Sequence, residues 1–218
     1  ELKDKNDLLT SALEELETIH AALDRDLVEA RKFQKSLIPE RVRDFDGGRV
    51  SLLFRPCGHV GGDFVGVFRV NDSRIGLYSI DVSGHGVASA LLAARVAGYL
   101  GGTSPDQNIA MTIDDRGRHA MRPPEDVCAR LNDLMLAQLD TDLYLTMVLA
   151  DCNLANGEVR IAQAGHPGPL VARSDGRVEE PGEGGLPVGL IAGGRWSSFD
   201  LHLAHGDRLL LLSDGITE

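Results

Sequence analysis

No cysteine pair is available to staple this chain. Its three cysteines (Cys57, Cys128 and Cys152) are odd in number, far apart and never arranged as C-x-x-C. They read as reduced thiols packed as small apolar fillers, which points to an intracellular, cytoplasmic protein. No apolar run approaches the ~18 residues that span a bilayer, and there is no signal peptide, so no membrane partner is expected for this stretch. Basic charge is also short: 22 Lys and Arg stand against 33 Asp and Glu, a formal charge of -11. Such a balance argues against gripping a phosphate backbone by counterion release, and so against nucleic acid as a partner. Neither His85 nor His166 has a second histidine at metal-ligand spacing, which argues against zinc. An initiating methionine is missing as well. The chain opens with Glu1 inside a helical pattern and reads as a piece of something longer.

What is present is ordinary globular material. Of 218 residues 43% are hydrophobic and 25% charged, enough apolar content and length to bury a core without staples. Residues 1 to 40 stand apart. They contain no Gly and no Pro before Pro39, and Leu2, Leu9, Leu16, Leu23, Ala30 and Leu37 recur every seven residues. Ala12, Ile19 and Phe33 fill the alternate seam position, while Lys5 and Asp26 interrupt it. A heptad seam this narrow and long predicts a coiled-coil helix that pairs with a second copy, the alternative being an amphipathic helix lying on its own domain. Pro39 is the expected stop.

Beyond it the periodicity falls to two. Strands are predicted at 50–55, 64–70, 74–81, 143–150, 158–164, 168–173, 196–203 and 207–213, with tight turns at Asn156-Gly157 and Asp175-Gly176. A small-residue helix is predicted over 87–100, and a second over 125–139 opened by Pro123-Pro124. The Gly-, Pro- and charge-rich stretch 101–124 shows no pattern and reads as a mobile insertion. Strands in two groups with helices between them predict an α+β sandwich, not alternating βαβ units.

Three aspartates stand at strand ends or turns beside glycine: Asp63 in V-G-G-D-F, Asp81 in I-D-V-S-G-H-G and Asp214 in L-L-S-D-G. Glycine beside a carboxylate permits a sharp turn and close approach of a ligand. An aspartate ending an apolar strand is costly to bury without a partner or a cation. Hard oxygens from scattered strand ends suit Mg²⁺ or Mn²⁺. Each Asp-Gly alone is an ordinary turn; only the set carries weight. His85, between two glycines, and His166, in A-G-H-P, read as structural hydrogen-bonders, and Trp196 as core or sheet surface. The G-H-G run at 84–86 imitates part of a dinucleotide fingerprint, but its third small position is Ser89 and no acidic strand end follows ~20 residues on. Gly61-Gly62-Asp63-Phe64 shares letters with the diguanylate cyclase signature but lacks its glutamate.

The ordered series Q-x-x-L-I-P at 34–39, V-G-G-D at 60–63, D-V-S-G-H-G at 81–86, T-M at 146–147, A-G-H-P-G-P at 164–169, G-L-P-V-G-L at 185–190 and L-L-L-L-S-D-G-I-T-E at 209–218 resembles the bacterial PPM-type serine/threonine phosphatases, closest to their SpoIIE-like and RsbU-like branch. The resemblance runs from about residue 30 to the end. It implies an αββα sandwich of two antiparallel sheets flanked by helices, preceded here by the long N-terminal coiled-coil helix. The division expected is 1–40 as a linker for dimerisation and signal transmission and 41–218 as the phosphatase domain.

The resemblance also implies a site of two Mg²⁺ or Mn²⁺ ions. Asp81 bridges both ions, Asp63 and the backbone carbonyl of Val82 hold one, and Asp214 holds the other. The cations orient a water, lower its pKa and direct it in line at a phosphoserine or phosphothreonine, with no covalent enzyme intermediate. The implied substrate is a phosphorylated STAS-domain protein, an anti-anti-sigma factor, in partner-switching signalling. The implied partners are a second copy through the N-terminal helix and an upstream sensor or receiver domain. A change in helix pairing that shifts the Asp63 or Asp81 loop then changes cation affinity.

Two departures stand out. The family places a further metal-binding aspartate some distance after S-D-G, whereas this sequence stops at Glu218. The expectation is a C-terminally incomplete domain with a weakened second ion. The family also usually follows G-G-D-F with an aromatic residue and an aspartate, where this chain has Val65 and Gly66. Arg55 is the nearest candidate for a phosphate-gripping cation, and a surface role suits it better. The rival from another class is a degenerate, non-catalytic interaction or dimerisation module.

Overall fold

The computed structural model describes residues 2–38, 40–56, 58–102, 104–138 and 142–216. Pro39, Cys57, the end of the second predicted helix at Leu139 and the final Thr217-Glu218 lie outside them. A single helix, α1 (Leu2–Ser36), comes first. Its last carbonyls are taken up by tightened i→i−3 bonds, from Leu37 N–H to Gln34 O (3.2 Å) and Ile38 N–H to Lys35 O (3.3 Å). Residues 2–26 are exposed, Asp24 reaching across to His59, and residues 27, 28, 30, 31, 34 and 38 at the end of the helix lean on the rest of the molecule.

The remaining elements form antiparallel layers. In chain order they are β1 (Val42–Phe45), β2 (Gly48–Ser51), β3 (Phe64–Arg69), β4 (Arg74–Val82), α2 (Val87–Gly101), β5 (Met111–Ile113), β6 (His119–Met121), α3 (Pro124–Gln138), β7 (Leu145–Asn153), β8 (Glu158–Ala164), β9 (Leu170–Ala172), β10 (Val178–Glu179), β11 (Ser198–His202) and β12 (Arg208–Leu210), then a 3₁₀ turn at Asp214–Ile216. The large sheet has the order β11-β8-β7-β4-β3, and a smaller one β10-β9-β12. The layered antiparallel arrangement and the long leading helix agree with expectation.

Strand alternation explains the two cores. On one face of the large sheet Phe64, Phe68, Tyr78, Ile80, Val82, Leu145, Met147 and Leu149 pack against Leu92, Val96, Leu100, Val127 and Leu131 of α2 and α3. On the other, Val67, Ile75, Val148, Ala150, Cys152 and Ile161 meet Phe45, Val50 and Leu52 of the β1–β2 region and Leu209 of β12. The same alternation settles the departure at Gly66. It lies opposite Tyr78 in the β3–β4 ladder, and any Cβ there would collide with the Tyr78 ring.

Segment 101–124 differs from its expected lack of pattern. Asn108 donates its side-chain amide to Leu100 O (2.6 Å) and Gly102 O (3.1 Å), Ala110 and Met111 are fully buried, and β5 pairs with β6. The apolar anchors of this hairpin are separated by a charged turn, in which Asp114 accepts from the backbone of Arg116 and Arg118, so no period showed. Among the described residues no helix is long and apolar enough to cross a membrane.

Candidate metal centre

The face of β4 turned away from the helices carries Ser79 and Asp81 between the core residues Tyr78, Ile80 and Val82. Asp63 immediately precedes β3 and is fixed from behind by Phe64, fully buried. Asp214 opens the 3₁₀ turn that follows β12. Far apart in sequence, these three offer carboxylate oxygens that all lie within 4.8 Å of one another. The structure brings the expected trio together.

Holding three carboxylates this close is costly. At 4.8 Å an ionised pair repels by about 3 kcal/mol for an effective dielectric near 20. Burial, then the charges of Asp63 and Asp214, push the Asp81 carboxyl up to about 6. Burial raises Asp63 too, with the Asp214 charge adding to it and a hydrogen bond from Ser213 working against it. One oxygen of Asp63, Oδ1, is sealed from solvent without a hydrogen-bond partner. Buried polar atoms are rarely left so, and a cation resolves both the orphaned oxygen and the repulsion.

Val82 stands beside the same loop. Its N–H donates to Gly62 O (3.2 Å), and a Cβ at position 62 would press to 2.5 Å on the Val82 carbonyl oxygen. Glycine at 62 keeps that carbonyl clear. The available donors are therefore hard oxygens, the set that suits Mg²⁺ or Mn²⁺. Cys128 and Cys152 are buried in the two cores, and burial pushes both thiols up to about 12, which disqualifies them as thiolate nucleophiles.

His166 is 2% exposed. Its Nδ1 lies 2.8 Å from Thr146 Oγ1 and its Nε2 3.0 Å from Ser79 Oγ. Thr146 is the ladder partner of Asp81, so the ring braces the strand that presents the carboxylate. Burial pushes it down to about 4 despite the nearby Asp214 charge, leaving a neutral imidazole with both nitrogens engaged. That accords with a structural reading. His85 and Arg55 are exposed, and Trp196 donates its Nε1–H to Leu186 O (2.6 Å) beside the main core.

Sequence reasoning missed Ser213, Ser79 and Thr146 as supports. It also missed Gln34, which is buried and bonded to Gly61 in the loop leading to Asp63. The signal for Ser213 was its place beside Asp214.

The layered sheets are those of the PP2C-like, or PPM, phosphatase fold. The SiaA-PP2C domain of Pseudomonas aeruginosa matches with a TM-score of 0.69 and 19% identity, over 90% of this chain and 74% of that one. The family model described as Stage II sporulation protein E (SpoIIE) matches residues 71–218, and the chain belongs to that family. Phosphoserine phosphatase RsbU of Bacillus subtilis (strain 168) is 26% identical over 191 residues, 87% of this chain and 52% of that protein. Phosphoserine phosphatase RsbP of the same strain is 23% identical over 194 residues, 89% of this chain and 45% of that protein. The chain thus spans about half the length of these relatives.

Proposed function

We propose that this domain is a metal-dependent phosphatase acting on phosphoserine or phosphothreonine in a partner protein. The observation that carries the reading is the convergence of Asp63, Asp81 and Asp214 within 4.8 Å around an orphaned Asp63 oxygen. Asp81 would bridge two cations, Asp63 and the Val82 carbonyl hold one, and Asp214 the other. When bound, such cations neutralise charge on the phosphoryl oxygens and make a water acidic enough to attack near neutral pH. The chain's own part is to aim these donors. Ser213 donates to Asp63 and orients it, while neutral His166 holds Ser79 and Thr146 so that β4 presents Asp81 at a fixed depth. An acidic chain repels a phosphorylated substrate until its cations are in place.

The proposed substrate is a phosphorylated STAS-domain protein in cytoplasmic partner switching, in keeping with the phosphoserine phosphatases RsbU and RsbP to which the chain is similar. Residues 1–40 serve as a dimerising linker that carries a signal from an upstream sensor or receiver domain to residues 41–218. Support for the linker role comes from its seam: Leu2, Leu9, Leu16, Ile19 and Leu23 are 88%, 59%, 65%, 62% and 55% exposed, apolar surface that a second helix would cover.

Titration of the full-length protein with Mn²⁺ against a chromogenic phosphate ester and a phosphorylated STAS-domain protein tests the reading. Asp81→Asn is expected to lower turnover at least about a hundredfold, a larger loss than removal of a group that merely supports a ligand. Absence of Mn²⁺-dependent turnover in the full-length protein would overturn the enzyme reading in favour of an interaction module. Removal of residues 1–33 with no change in activity or Mn²⁺ affinity would overturn the linker role alone.

A further inference from the structure

Helix α1 has 35 residues, and the one side chain it buries among those described is an amide, Gln34. It is 3% exposed. A glutamine is a costly choice for a buried contact unless its donor and its acceptor are both met. Here one backbone unit meets both. Gln34 Nε2 donates to Gly61 O (2.7 Å), and Gly61 N–H donates to Gln34 Oε1 (3.3 Å). The side chain thus imitates a neighbouring strand for a single rung, in a loop that has no ladder partner of its own.

The next residue is tied to the opposite side. Gly62 O accepts from Val82 N–H (3.2 Å), and Asp63 and the first residue of β3 follow directly. Loop 58–63 is therefore gripped from the helix at Gly61 and from β4 at Gly62, one step before the carboxylate. A second tie, His59 Nε2 to Asp24 Oδ1 (3.0 Å), is half exposed on both sides and contributes little.

We infer that Gln34 is a positioning residue of the proposed metal centre: its amide fixes the Gly61 backbone and so the aim of Asp63 and the placement of the Val82 carbonyl. The inference rests on the metal-centre reading above and adds a residue to it. It also gives the linker helix a defined point of purchase on the site. A shift of α1 along or about its axis breaks the Gly61 rung before it disturbs any apolar core, because no core residue of α1 is buried alongside it.

The test is Mn²⁺ binding by calorimetry to the full chain and its variants, with far-UV circular dichroism to establish folding. Gln34→Leu removes both bonds, and Gln34→Asn stays polar but is one methylene short of Gly61. Both are expected to weaken Mn²⁺ affinity by about 10- to 100-fold, the range found when groups that orient metal ligands are removed. Turnover at saturating Mn²⁺ should return to within about twofold of the parent protein, since the ligands themselves are intact. Amide exchange at 59–63 should quicken in both variants, with or without metal. Lys35→Ala, on the exposed side of the helix, is the control and should change none of these.

Parent-like Mn²⁺ affinity in a folded Gln34→Leu or Gln34→Asn overturns this inference alone. So does a loss confined to maximal turnover at unchanged affinity, the mark of a general structural defect. A parent chain that binds no Mn²⁺ overturns the metal-centre reading, and this inference with it.

Discussion

Leu16 and Leu149 are the same side chain in two settings. Leu149 sits in β7 with none of its surface exposed, while Leu16 on α1 is 65% exposed. The sandwich buries two apolar cores of its own; the first two-thirds of α1 bury none of their apolar residues. An isolated helix with an unburied seam gains little from its own hydrogen bonds. The difference between the regions is between stability stored within the chain and stability that requires another chain.

Replacing Leu149 by alanine attacks the first kind. A fully buried leucine between sheet and helices leaves a cavity when truncated, and a loss of about 2–5 kcal/mol in unfolding free energy is expected by denaturant titration. A cost below about 1 kcal/mol would mean that the layers around β7 collapse easily and that the contrast with α1 is weaker than drawn. His166→Leu probes the polar part of the same layer. It keeps a similar bulk but leaves the Ser79 and Thr146 hydroxyls without the ring that joins them. A cost of about 1–3 kcal/mol is expected, with weaker Mn²⁺ binding as the second readout.

Leu16→Ala should do the reverse of Leu149→Ala. Its effect on unfolding of the sandwich is expected to stay within about 0.5 kcal/mol, as for other exposed positions, while sedimentation equilibrium should show weakened self-association. If Leu16→Ala destabilised the sandwich as much as Leu149→Ala and left the oligomeric state alone, the helix would belong to its own domain, the alternative that its sequence left open.

The unequal legibility of the two regions follows from the same physics. Short apolar runs bounded by turn residues mark strands buried on both faces, so β3, β4, β7 and β8 stood out, and glycine beside aspartate marked the trio because turn chemistry is local. The strand expected at 50–55 meets β2 only at Val50 and Ser51, and β1 escaped altogether, because the strands of this hairpin have four residues each and turn at Gly47, with φ 97°, inside a charged Gly-rich stretch. β10, with two residues, is too short for any period. Gln34 was visible only as a motif letter. On a helix whose polar face is wet, nothing in the spacing separates a buried amide from a solvated one; its partner is a backbone unit 27 residues away. Side chains that act through a single long-range hydrogen bond leave no periodic trace.

The smallest expected effect separates the carboxylates by setting, with the metal removed. Asp207 accepts from Arg173 and from the backbone of Ser174 and Ala204, and these partners hold its carboxyl at about 2, below its ordinary value of 3.8. Its contribution is complete above the unfolded value and is lost as pH falls through the folded one. Asp81 has the opposite sign. At about 6 it lies above the same 3.8, so the folded chain takes up a proton before the unfolded chain does, and stability rises as pH falls through that interval. His166, held down at about 4, works the other way over the same interval, because there the unfolded chain takes up the proton first. The Asp81 effect is therefore read as the metal-free Tm of the parent minus that of Asp81→Asn, a difference that should climb from about pH 7.5 to about pH 5. Asp81→Asn should raise the metal-free Tm at neutral pH, because the repelling charge is gone. Added Mn²⁺ should make that difference fall over the same interval, since protons and cation compete for the same oxygens, and should barely move the Asn variant. A metal-free difference between parent and variant that is level or falling over the upper interval would show that the trio is relieved in some other way, and the site would then store no repulsion for a cation to release.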